Sequence, residues 1–76
     1  MLGAIIEAIK AFGGSAHQDL ITDFISARAA SLGADPQATR DSVRSVLEGQ
    51  RALAWRQAGA LRPMFGPDSK RWTLMA

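Results

Sequence analysis

Apolar residues recur at helical spacing three times along the chain before its character changes. Leu2, Ile5, Ile6, Ile9 and Phe12 form one stripe, with Glu7 and Lys10 off it, the repeat of a helix that buries one face. Gly13 and Gly14 end it, since glycine accepts the left-handed backbone needed just past a helix terminus. The second stripe is Leu20, Ile21, Phe24, Ile25 and Leu32, closed by Gly33, and it predicts a helix over roughly residues 16–31. Ser15 to Gln18 spell S-x-x-Q at its start. This is a capping box in which the Ser15 hydroxyl accepts from a first-turn amide while Gln18 reaches back. Asp19 suits the positive end of the helix dipole.

Asp35 followed by Pro36 is an N-cap with proline at the first helical position, where its missing amide costs nothing. The third stripe runs Val43, Val46 and Leu47. Gly49 leaves two readings open. The helix ends there, or it resumes through QRALAWRQA toward a second stop at Gly59, because Leu53, Ala54, Ala58 and Leu61 continue a helical period. The favoured reading is a helix to about Ala58, bent or broken near Gly49, in a segment rich in good helix formers. Beyond Gly59 the pattern becomes ALRPMF, the turn signal GPDS, then KRWTLM. This predicts a hairpin with Leu61 and Phe65 on one face and Trp72 and Leu74 on one face of the returning strand. Pro63 cannot donate to a ladder, which places its strand at an edge.

Three helices followed by a hairpin make an α+β chain. Its 76 residues fit a single domain, 1–76, that buries only about 60% of the surface of the unfolded chain. That order, with GGSAH leading into the second helix, AGALRP leading into a strand and RWTL closing the hairpin, resembles the winged helix-turn-helix superfamily. In particular it resembles the N-terminal winged-helix module of Mrr-type restriction endonucleases. The resemblance covers nearly the whole chain. It implies a three-helix winged helix-turn-helix with a C-terminal β-hairpin wing, and double-stranded DNA as partner, with the third helix in the major groove and the wing along the backbone.

Composition narrows the alternatives. Apolar residues make up 47% and charged residues 21%, enough for a core and unlike the profile of a disordered tail. The chain has no cysteine and one histidine, His17, which leaves no ligand set for structural zinc and no disulfide or thiolate chemistry. No cofactor is expected. The opening MLGAIIEAIKAF is far shorter than the roughly 20 residues that span a bilayer, so a cytoplasmic protein with no membrane role is the default. The net charge of +2 is unevenly placed. Residues 1–36 carry Lys10 and Arg28 against Glu7, Asp19, Asp23 and Asp35, whereas residues 37–76 carry seven bases against Asp41, Glu48 and Asp68. A basic half suits a polyanionic partner.

At 100° per residue, Gln37, Arg40, Asp41, Arg44, Glu48 and Arg51 fall opposite Val43, Val46 and Leu47. On the winged-helix reading this side meets DNA, where arginine pairs with guanine or binds phosphate. Gln37, Arg40 and Arg44, in the N-terminal half, are the leading candidates, with Arg51 behind them. The hairpin tip adds Lys70 and Arg71 for phosphate or minor-groove contact. The alternative is a solvated or protein-docking face with an Arg44–Glu48 pair worth a few tenths of a kcal/mol.

Trp55 extends the row Arg44, Glu48, Arg51 if the helix passes Gly49, and fills the core if it breaks there; the core reading is preferred. Trp72 is core by its alternation with Leu74. Ser15, His17 and Asp19 carry hydrolase-type groups. Residues two apart at a helix start diverge, however, and cannot align a nucleophile with its base. No phosphate loop or paired buried acids appear elsewhere, so no enzyme and no small-molecule substrate are expected. The functional expectation is a small DNA-binding regulator or accessory factor. One such module offers roughly 600–1,000 Å² of interface, so tight binding calls for a homodimer or a protein partner. The alternative is a protein-interaction module that binds no DNA and uses the apolar edge near Trp55 or the open strand bearing Pro63 and Met64.

Overall fold

A computed structural model describes residues 1–75 of the chain. Helix α1 spans Leu2–Ala11, strand β1 Ser15–His17, α2 Gln18–Ser31, α3 Pro36–Trp55, β2 Leu61–Pro63 and β3 Arg71–Leu74. The molecule is α+β, with three helices and one three-stranded antiparallel sheet among the described residues. The strand order is β1-β3-β2. The expected hairpin is present, with Leu61 opposite Leu74 and Pro63 opposite Trp72, and Pro63 lies on an edge strand as its missing donor requires.

Strand β1 was not anticipated. Ser15 pairs with Thr73, Ala16 with Trp72 and His17 with Arg71. Ser15 therefore does not cap α2, and the expected capping box does not form. His17 is the N-cap instead, its Nδ1 accepting from the Asp19 amide at 3.1 Å. The third helix starts as expected, with the Asp35 carboxylate accepting from the Gln37 amide at 3.1 Å and Pro36 in the first turn.

The core is Ile5, Ala8 and Ile9 of α1, Ala16 of β1, Ile21 and Ile25 of α2, Val43 and Leu47 of α3, Leu61 and Trp72. Most of these come from the predicted stripes, Ala8 and Ala16 being additions, and four expectations are corrected. Phe12 is 40% exposed at the end of α1. Leu20 and Leu32 are exposed, because α2 buries only the narrow face bearing Ile21 and Ile25. Phe65 is exposed in the hairpin loop, apart from Leu61. Trp55 is 78% exposed, because α3 runs through Gly49 as one helix and the phase that would have turned the indole inward is never reset.

Each helix ends in a paired wrap of amides onto carbonyls three and five residues back, as at Gly33→Ala30 and Ala34→Ala29. In α1 and α2 the left-handed residue of this wrap is Gly13 or Gly33, but in α3 it is Gln57, at φ 57°. Helix α3 therefore stops at Trp55, short of Ala58. Gly59 has a different task. Buried Gln50 accepts the Ala60 and Leu61 amides on its Oε1, at 2.9 and 3.3 Å. A Cβ on Gly59 would stand 2.7 Å from that oxygen. Gln50 thus fixes the first residues of β2 to the middle of α3.

Candidate nucleic-acid interface

The surface formed by the outer row of α3 and the hairpin holds all six candidate residues, which differ in how free they are. Gln37 lies on the exposed first turn, its side-chain amide donating to Asp41 Oδ1 at 3.0 Å. Arg40 reaches across to α2 and pairs with Asp23 at 2.8 Å. It ties the two helices together with the charge expected to meet a phosphate. Arg44 is exposed and makes no ion pair or side-chain hydrogen bond among the described residues. The Arg44–Glu48 pair does not form, because Glu48 takes Arg51 at 3.2 Å.

Arg51 is the structural centre of this surface. Its Nη1 donates to the carbonyls of Pro67 and of Ser69, the latter at 3.0 Å, and its Nε donates to Glu48. Its guanidinium stands 4.9 Å over the buried Trp72 ring, a cation–π distance. The side chain is only 20% exposed. Arg51 therefore fastens the hairpin tip to α3 and leaves a single nitrogen, Nη2, uncommitted. Sequence periodicity places Arg51 on the outer row but carries no information about carbonyls 16 and 18 residues away.

At the tip, Ser69 shapes the return into β3, its hydroxyl oxygen accepting the Arg71 amide at 3.1 Å. Lys70 and Arg71 are exposed there and have no ion-pair partner among the described residues. Strand alternation turns Arg71 and Thr73 to the face opposite Trp72, and the register sets His17 beside Arg71 and both Ser15 and Arg62 beside Thr73. Arg62 is exposed on this outer face and was missed as a candidate. The period-2 pattern of LRP, with Leu61 in and Arg62 out, was the available signal. His17 and Ser15 carried no such signal, because their strand exists only through β3.

Along α3, Arg44 precedes Arg51 by two turns on one stripe, so the free arginine of the helix lies on the side that carries the hairpin. The free cations are thus Arg44 on the helix, Lys70 at the tip, and Arg71 and Arg62 on the sheet. Asp41 and Glu48 share the outer row of α3. Among the described residues, no group of three or more histidine, cysteine or acidic side chains is placed to hold a metal ion, and no helix is long and apolar enough to cross a membrane. No protein-family model, curated protein or solved structure matches the chain.

Proposed function

We propose that the chain is a winged-helix module that binds double-stranded DNA, α3 entering the major groove and the hairpin acting as a wing on the backbone, in a regulatory or accessory role. The fold reading is supported by the order helix, strand, helix, helix, strand, strand with β3 central in the sheet. The observation that carries the DNA reading is the Arg51 clamp. By holding the Pro67 and Ser69 carbonyls against α3, it joins helix and wing into one surface before any ligand arrives, so little ordering is left to oppose binding.

The contacts are then redistributed relative to sequence expectation. Arg44, Lys70 and Arg71 meet phosphates or base edges, Gln37 lies at the helix start where base edges are reached, and Arg40 and Arg51 support the surface from within. If Arg44, Lys70 and Arg71 each neutralise one phosphate, the log–log dependence of affinity on salt has a slope of about −2.7, or about a fortyfold loss between roughly 50 and 200 mM. Arg44→Ala flattens the slope by about 0.9, whereas Arg40→Ala leaves it nearly unchanged. No binding to mixed-sequence duplex at low salt would overturn the reading. The second reading, a protein-docking module without DNA binding, draws on Asp41 and Glu48 in the α3 row and would then lead.

A further inference from the structure

The C-terminal end of α3 and the hairpin flank a groove of about 280 Å³ beside the Arg51 clamp. Ala54 and Trp55 line it from the helix and Pro63 and Pro67 from the hairpin, with Arg51 and Arg62 as its cations. Large apolar side chains gather at this end of the molecule. Trp55 is 78% and Phe65 74% exposed, and Met64 and Leu53 are over a third exposed. A lone surface leucine is ordinary, whereas an indole left in water beside an apolar groove marks an interaction site.

The charge around it is one-sided. From Gly49 to Pro67 the chain carries Arg51, Arg56 and Arg62 and no acid. Glu48 compensates Arg51, which leaves Arg56 and Arg62 exposed without partners among the described residues. Gln57, the left-handed residue that ends α3, also lines the groove.

We propose that this groove docks a partner protein through an acidic peptide segment bearing one bulky apolar side chain, which packs between Trp55 and the two prolines while its carboxylates face Arg62. A duplex offers the charge but no apolar side chain to fill the groove, so the exposed indole favours a peptide. The site is separate from Arg44, Lys70 and Arg71, and the inference does not rest on DNA binding.

The test is fluorescence anisotropy of the full chain with a labelled short peptide holding a central phenylalanine between glutamates, alongside its lysine-flanked counterpart and an oligothymidylate. The glutamate peptide is expected to bind, and the lysine peptide to bind at least about tenfold more weakly. Trp55→Ala is expected to weaken binding by about tenfold or more, with the melting temperature held because the side chain is exposed. Arg62→Gln should weaken binding by several-fold and reduce its salt dependence.

Equal binding of the two peptides, binding that survives Trp55→Ala, or no binding up to about 1 mM would overturn the proposal. So would oligothymidylate displacing the peptide in a Trp55-dependent manner, which would make the groove a base-stacking site. A dimer in sedimentation equilibrium that Trp55→Ala disperses would assign the groove to a second copy instead. Duplex binding is read from its Arg44-dependent salt slope and peptide binding from Trp55, so failure here and failure of the DNA reading are distinguishable.

Discussion

Replacing Arg51 with alanine removes four interactions at one point. The Pro67 and Ser69 carbonyls lose a charged donor, Glu48 loses its partner, and the Trp72 ring loses the guanidinium 4.9 Å above it. Hydrogen bonds from charged donors contribute about 1.5–3 kcal/mol when well shielded. Water can reach both carbonyls at the hairpin tip, which reduces each bond to about 1 kcal/mol. The cation–π contact over a buried indole adds about 1 kcal/mol, and the half-exposed Glu48 pair a few tenths of a kcal/mol. The expected cost is about 3 kcal/mol, which lowers the melting temperature of a domain this size by roughly 12 to 24 °C.

Arg51→Lys keeps a charge but not the planar fork that meets two carbonyls, so it should recover less than half of the loss. Thermal and urea unfolding give the magnitude, and amide hydrogen exchange locates it. In Arg51→Ala the amides of residues 64–70 should exchange faster while those of α1 and α2 follow global stability. Stability within about 0.5 kcal/mol of wild type, with hairpin exchange unchanged, would refute the clamp.

Gln50→Leu keeps the volume but leaves the Ala60 and Leu61 amides without their acceptor, and should cost about 2–4 kcal/mol in urea unfolding. Gln57→Gly relieves the left-handed strain and should raise stability by about 1 kcal/mol in the same assay; no gain would mean that the native side chain compensates. Trp72→Ala should cost about 3–5 kcal/mol. Trp72→Phe should cost clearly less in the same unfolding measurement, because the buried indole N–H it removes has no partner among the described residues.

The parts of this fold that the sequence announces are those governed by neighbours a few residues apart. The stripe Ile5, Ile9, the cap at Asp35 and Pro36, and the alternation of Trp72 with Leu74 are local patterns, and all three are present in the structure. Strand β1 is not local. Three residues with no apolar alternation become a strand only because β3 supplies the partner, and the Thr73 hydroxyl reaches the Gly14 carbonyl across 59 positions. The same distance effect hid the partners of two candidate residues. Arg40 and Arg51 sit on the predicted outer row, yet both are engaged by groups on other elements, Asp23 and the hairpin carbonyls. Trp55 goes the other way: the core reading of its ring needs a break at Gly49, whereas α3 runs through that position, as the favoured reading of the helix has it. A single glycine costs about 1 kcal/mol in a helix, too little to end a 20-residue element anchored by Val43, Leu47 and Gln50.

The central position of β3 has a consequence for how the domain comes into being. Strands β1 and β2 share no ladder with each other and meet only through Arg71–Leu74, the last of the six elements to be translated. A chain cut just before Arg71 would keep the residues of all three helices but could pair no strand, and its core would lack Trp72. Formation of the sheet therefore hinges on four residues, and without them the edges of β1 and β2 have no partner.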